Sequence, residues 1–349
     1  MNMKRHALAP LLLAAALLAG CGQSAPSSSP AAEEENATAN FFAMDTYMSV
    51  SAFGEGSQEA VTEAEAEVHR LDALLSTGEA ASEVGKINAD GGGTLSEDGQ
   101  RLMEASLQLY EETGGCFDIS IYPVMKLWGF TDQNYRVPSE EELRGALELV
   151  DASAVRFDAA SGEVSFEKAG MQIDFGGIAK GYASSRIVEI FQEKGIAHGL
   201  VNLGGNVQAL GTKPDGSDWR IGIQRPDETG GMLGVVSIHD CAVITSGGYE
   251  RYFEENGKTY HHIIDPADGF PSENGLVSVS IICADGMRAD GLSTSLFVMG
   301  REKALDYWKA HSSEFDAVLL EEDGSLWVTA GIADRFTSDL EFTVVKAPD

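Results

Sequence analysis

The chain has 349 residues, 43% of them hydrophobic, with 24 basic against 55 acidic side chains and a formal charge of −31. That length supports a large buried core, and so acidic a balance makes nucleic acid and anionic lipid surfaces poor partners. Four cysteines without a Cys-x-x-Cys pair give no sign of a zinc site or a disulfide framework, and Cys116, Cys241 and Cys283 read as buried free thiols.

Residues 1–20 join Lys4 and Arg5 to an apolar run from Leu11 to Ala19, which suits a secretory signal and is short for a membrane span. Leu18-Ala-Gly-Cys21 closes the run and resembles a bacterial lipobox. It implies cleavage before Cys21, lipid on its thiol, and a protein held on the outer face of the cell membrane, the periplasmic side where there are two membranes. Without the signal, 22 basic residues remain against 55 acidic ones, near −33, so lipid alone would hold the protein there. Residues 21–40 comprise that cysteine and a Ser-, Pro-, Ala- and Glu-rich stretch without periodicity, read as a disordered tether with a reach of about 25 Å. Residues 41–349 then form one large domain or two closely joined α/β halves.

Phe42 to Val50 reads as a strand. A helix over Ser57–Leu75 follows from Val61, Ala64, Val68, Leu71 and Leu75 sharing one face. A second helix runs from Glu97 to Glu112 before Gly114-Gly115, and a third begins at Pro138-Ser139 with Glu141 and Glu142 in its first turn. Val155 to Phe166 has the pattern of a hairpin turning at Ser161-Gly162. A helix over Ala179–Lys194 precedes β-rich runs at Leu200–Leu203, Val207–Leu210, Arg220–Gln224, Val235–His239, Val243–Thr245, Tyr249–Phe253 and Val277–Ile282. Helices at Ala289–Val298 and Glu302–His311, with strands at Phe315–Leu320 and Leu326–Thr329, end the chain. The expected class is α+β, with mixed, largely antiparallel sheets and helices packed on them, rather than a doubly wound parallel sheet.

Three polar clusters stand out from this frame. In Met171-Gln-Ile-Asp-Phe-Gly-Gly-Ile-Ala-Lys-Gly-Tyr182 an apolar strand ends on Asp174, turns through Gly176 and Gly177, and opens a helix carrying Lys180. Helix N–H groups, close backbone approach and a lysine together suit an anion, although such a turn also serves as a plain strand-to-helix connection. Asp290 and Thr294, four apart on a helix, stack two hard oxygens that suit Mg²⁺; the competing reading is a dipole partner and a hydroxyl bonded to its own helix. In Tyr260-His-His-Ile-Ile-Asp-Pro266 adjacent histidines on a strand point to opposite faces, which makes one structural and leaves the other as a candidate general base.

Phe42-Ala-Met-Asp-Thr46, Gly115-Cys-Phe-Asp-Ile-Ser120 with Pro123 and Leu127-Trp-Gly-Phe130, Asp174–Tyr182, Leu200-Val-Asn-Leu-Gly-Gly-Asn206, Thr245-Ser-Gly247, His262-Ile-Ile-Asp-Pro266 and Ala289-Asp-Gly-Leu-Ser-Thr294 occur in one order. In that order they resemble the FAD:protein FMN transferases, the ApbE-type flavin-trafficking lipoproteins. The resemblance covers nearly the whole chain after the tether and implies an ApbE-like, T-fold-related architecture. It places FAD against Met44, Gly78, Cys116, Phe117, Asp118, Asp174, Lys180 and Ile264. It places Mg²⁺ on the Gly177 carbonyl, Asp290 and Thr294, and makes His262 the base. Gly78 stands where a ring is frequent in the family, and Cys116 where a small residue is common. The implied reaction transfers FMN from FAD to a threonine of an exported acceptor protein, such as a redox-pump subunit, and releases AMP. Hydrolysis of FAD to FMN and AMP, or simple flavin capture, are the alternatives; His262 together with Asp290 and Thr294 favours an enzyme.

Overall fold

The computed structural model describes residues 35–226 and 231–348, so the signal, the lipobox with Cys21 and most of the tether lie outside the described residues. Strands β1 (Asn36–Ala43) and β2 (Thr46–Phe53) are followed by α1 (Ser57–Leu75), α2 (Glu83–Asp90), β3 (Gly92–Thr94), α3 (Glu97–Glu112), α4 (Tyr122–Trp128) and α5 (Glu140–Leu147). Next come β4 (Val155–Asp158), β5 (Glu163–Phe166), α6 (Ala179–Glu193), β6 (His198–Leu203), β7 (Asn206–Leu210), β8 (Trp219–Gln224) and β9 (Met232–Ile238). The rest are β10 (Ala242–Gly247), β11 (Tyr252–Glu255), β12 (Lys258–His261), β13 (Leu276–Cys283), α7 (Gly286–Ala310), β14 (Phe315–Glu321), β15 (Leu326–Thr329), β16 (Phe336–Thr337) and β17 (Thr343–Val345).

Nine strands form the main sheet in the order β1-β2-β6-β7-β10-β13-β14-β15-β17. Every pair in it is antiparallel except β15 with β17, which makes the fold α+β. Alternate side chains separate two cores. Ile244, Val279, Ile281 and Leu319 pack with α1, α3, α6 and α7, whereas Val243, Ile282, Val318 and Leu320 pack with the small sheet β16-β9-β8. The central strands are therefore covered on both faces, and β7 is buried at all five positions. That double cover explains why these strands read as unbroken apolar runs rather than as an alternation.

Local chemistry sets the element ends. Ser139 and Glu142 form a capping box at the start of α5, and the side chains of Ser82 and Ser96 accept from Gly85 and Gly99 N–H at the starts of α2 and α3. Four expectations need correction. The strand expected over Phe42–Val50 is a hairpin that turns at Met44 and Asp45, both left-handed at φ 47° and 59°. The stretch assigned to the tether already pairs as β1 from Asn36. The run expected to begin at Tyr249 becomes a strand only at Tyr252. The two C-terminal helices are one, α7, broken at Gly300 (φ 75°, ψ 161°), where the Asn274 amide donates to the Phe297 and Val298 carbonyls.

Helices α6 and α7 cross at glycines. A methyl group on Gly181 would lie 2.6 Å from Asp290 Cβ and closer still to the Gly286 carbonyl, so the two backbones touch only because residue 181 has no side chain. Gly181→Ala should therefore cost about 1–3 kcal/mol and lower the thermal midpoint by several degrees. An unchanged midpoint in a calorimetric scan would contradict this packing.

Candidate active site

Met171, Ile173 and Phe175 are buried ahead of α6, but the segment joins no sheet, contrary to the strand expected there. Its backbone is satisfied by a side chain instead. The Asn88 amide donates to the Ile173 carbonyl at 2.8 Å while its oxygen accepts the Ile173 N–H at 2.7 Å, and Asp174 N–H donates to the Ile119 carbonyl. The chain then turns through Gly176 and Gly177 and enters α6.

At that entrance Gly181 N–H donates to Asp290 Oδ2 at 2.8 Å, not to the carbonyl four residues back. The Gly177 carbonyl thus lacks its helical donor, since the backbone bonds at this entrance run from Ala179 N–H to the Phe175 carbonyl and from Tyr182 N–H to the Ile178 carbonyl. Asp290 is only 6% exposed, and burial pushes its carboxyl above the ordinary range, with Lys180 and the Gly181 N–H opposing. Thr294 Oγ1 is bonded at 3.2 Å to Ser246 Oγ, which also meets Ser293 Oγ at 2.8 Å. Among the described residues no three His, Cys, Asp or Glu side chains gather as a metal cluster. A carboxylate, a hydroxyl and an orphaned carbonyl are all hard oxygens, and a buried carboxylate short of positive charge suits a small divalent cation such as Mg²⁺. Asp290, Thr294 and Gly177 fit that ion.

These oxygens lie in a cleft of about 910 Å³. Met44, Gly78, Cys116, Phe117, Asp118, Asp174, Gly177, Lys180, His262, Ile264, Asp290 and Thr294 all line it, so every described site residue expected from the sequence converges here. They do different things. Lys180 has no hydrogen bond or ion pair among the described residues, leaving its charge available to a ligand. Asp118 is occupied: its carboxylate accepts Ser120 N–H at 2.7 Å, the Ser120 hydroxyl and Ala152 N–H, and braces the loop that carries Cys116 and Phe117. Asp174 accepts Gly176 N–H at 2.8 Å and holds the turn, while burial raises its carboxyl. Burial also pushes the Cys116 thiol up, which disfavours a thiolate nucleophile. Space is open around Gly78, where a built Cβ meets only Ser76 Oγ at 3.9 Å.

The two histidines have different surroundings. His261 Nδ1 accepts the Ile263 N–H, and its ring stands edge-on to Phe297 at 5.6 Å. His262 faces the cleft. Its Nδ1 lies 3.2 Å from the Arg251 carbonyl, which also accepts the His262 N–H at 3.0 Å. A carbonyl accepts only, so Nδ1 carries the proton and Nε2 keeps its lone pair. The segment is anchored by a satellite core in which Trp128, Phe130 and Leu143 pack with Ile264, and Trp128 Nε1 donates to the Gly269 carbonyl at 2.8 Å.

Sequence reasoning missed Glu250 and Arg251. Arg251 supplies the carbonyl that orients His262 and pairs with Asp45 at 3.6 Å. Burial pushes the Glu250 carboxyl up to about 7, with Lys180 opposing the shift and Asp290 adding to it. Their only signal was a place just after Thr245-Ser-Gly247, because their charge partners come from distant elements.

A family model described as ApbE family matches residues 44–319. The FAD:protein FMN transferase of Treponema pallidum (strain Nichols) is 38% identical over 248 residues, covering 67% of this chain and 68% of the relative. That of Klebsiella pneumoniae (strain 342) is 32% identical over 274 residues, covering 77% and 84%. The crystal structure of the ApbE protein from Thermotoga maritima superposes with a TM-score of 0.79 at 32% identity, covering 84% of this chain and 96% of that one.

Burial, reinforced by the Arg251 charge, pushes the His262 imidazole down to about 3. A depressed pKa means that the ring is neutral above about pH 4, so the free base form persists across the whole physiological range. In a histidine-labelled NMR titration of the ligand-free protein, His262 should show no protonation between about pH 8 and about pH 5; a midpoint near the ordinary value of about 6.5 would refute a half-buried, carbonyl-oriented ring.

Proposed function

The chain belongs to the ApbE family, and on that premise we propose that it is an enzyme that transfers FMN from FAD to the threonine hydroxyl of an exported acceptor protein, with Mg²⁺ required and AMP released. The observation that carries this reading is the presence, in one cleft, of a histidine with a free Nε2 lone pair, an unpaired lysine and a trio of hard oxygens. Mg²⁺ held by the Gly177 carbonyl, Asp290 and Thr294 would neutralise charge on the FAD pyrophosphate. Lys180, in the first turn of α6, supplies a second positive charge beside that helix N-terminus. His262 Nε2 takes the proton of the threonine hydroxyl as its oxygen attacks the phosphorus on the riboflavin side. A phosphoester bond to threonine forms, the anhydride bond breaks, and AMP departs with the electron pair. The Arg251 carbonyl keeps the imidazole in the tautomer this requires.

Purified protein with FAD and Mg²⁺, with and without candidate acceptors, tests the reading by AMP release and by flavin fluorescence on a denaturing gel. His262→Ala should cut turnover about 10²–10⁴-fold with little change in FAD affinity by calorimetry, because a base acts in the transition state. Asp290→Ala should lose Mg²⁺-dependent turnover far more than it loses its fold. Normal turnover in either variant, or loss of FAD binding in proportion to rate in His262→Ala, would remove the assigned role.

The same proposal extends to location: an exported protein tethered to the membrane by lipid on Cys21. Cys21 lies outside the described residues, so the support is the Leu18-Ala-Gly-Cys21 pattern and the surplus of acidic residues. Cys21→Ser should move the protein to the soluble exported fraction with specific activity intact. Continued retention of the variant in the membrane fraction would show that something other than lipid holds it.

A further inference from the structure

Three hydroxyls run in a chain from Thr294 back into α7, and a group that can only accept, at the far end, fixes the direction of every proton in it. Ser293 Oγ donates to the Asp290 carbonyl at 2.8 Å. Its single proton is thereby committed, so at its 2.8 Å contact with Ser246 Oγ it accepts. The Ser246 proton is committed in turn, and at the 3.2 Å contact with Thr294 Oγ1 it is Ser246 that accepts. Thr294 therefore gives its proton to Ser246 and keeps its lone pairs for the cleft that both residues line. The hydroxyl bonded to its own helix, one of the two readings of this stretch of sequence, belongs to Ser293 and not to Thr294. Ser246 stands on the face of β10 that sends Ile244 into the core with α7, and its pairing with Val279 on β13 holds it there.

We infer that Ser246 is a positioning residue for the metal: by accepting the Thr294 proton it presets Thr294 Oγ1 as a cation ligand, with Ser293 setting the direction from behind. The inference rests on the proposal that Gly177, Asp290 and Thr294 hold Mg²⁺. A neutral hydroxyl binds a cation through an oxygen lone pair, and a proton aimed at the ion cancels that attraction. A threonine hydroxyl without a fixed acceptor must be turned before it can bind; here a contact between strand and helix has already turned it. Ser246 acts through Thr294 and need touch neither the ion nor FAD. Asp290 enters twice, since its side chain offers the carboxylate and its main-chain carbonyl anchors the proton order that readies the second ligand. Groups that orient a ligand in this way set metal affinity by about 10–100-fold.

Mg²⁺ is titrated calorimetrically into the protein, alone and with ADP, a pyrophosphate that has no FMN to transfer, against ADP blanks. Ser246→Ala should raise the Mg²⁺ dissociation constant about 10–100-fold, while its thermal midpoint in EDTA moves by no more than a few degrees. Ser246→Thr keeps the hydroxyl at a strand position that suits a β-branched side chain, and should return the constant to within about threefold of wild type. Ser293→Ala separates proton order from packing around the ion. Ser293 is fully buried and does not line the cleft, yet its loss frees Ser246 to turn its proton toward Thr294, so Mg²⁺ should bind about fivefold more weakly. Wild-type affinity in Ser246→Ala or in Ser293→Ala would overturn the inference, as would a Ser246→Thr protein no better than Ser246→Ala. Wild type that takes up Mg²⁺ in neither titration would sink the metal reading itself, and the role of Ser246 with it.

Discussion

The site depends on one hydrogen bond, from Gly181 N–H to Asp290 Oδ2. It forms only because α6 and α7 cross in backbone contact, and the contact exists only because glycine occupies position 181. Its effect is twofold. The carboxylate is fixed at the start of α6, and the donor that would have closed the first helical turn is diverted, leaving the Gly177 carbonyl free. A single packing constraint between two helices thus produces two of the three oxygens proposed to hold the metal. The third, Thr294, follows one turn later on the same face of α7.

Charge in the cleft is arranged as a deficit. Asp174, Asp290 and Glu250 are all held above their ordinary range by removal from water, and Lys180 is the unpaired cation facing the last two. Such a site is short of positive charge in its resting state, and the proposed divalent cation would relieve that shortage. His262 is tuned in the opposite sense, kept neutral by the same desolvation that troubles the acids. The acids and the base therefore respond to one environment, with the Arg251 charge adding to the effect on the imidazole.

Much of this is legible in the sequence, and the reasons differ by element. Helices α1 and α3 can be read to the residue, because α1 has one apolar stripe and α3 stops just short of a glycine pair. The β1–β2 turn escapes such a reading because Met44 and Asp45 adopt left-handed angles without the Asn-Gly or Gly-Gly signal that announces them. The segment before α6 looks like a strand because it alternates Met171, Ile173 and Phe175; a side-chain amide, Asn88, replaces the neighbouring strand, which no local pattern reveals. Site residues emerge through ordered motifs, whereas Glu250 and the carbonyl of Arg251 matter through partners on α6, α7 and the segment that carries His262.

The break at Gly300 has a mechanical reading. It makes α7 a jointed rod: the first half carries Asp290 and Thr294 against α6, and the second half lies beyond a residue whose angles no helix shares. Asn274 clasps the open carbonyls at the joint and, through its own oxygen, receives Leu276 N–H at the start of β13. The joint is thereby riveted to the sheet. Shifts of the outer half end at that rivet, so the oxygens ahead of it keep their register.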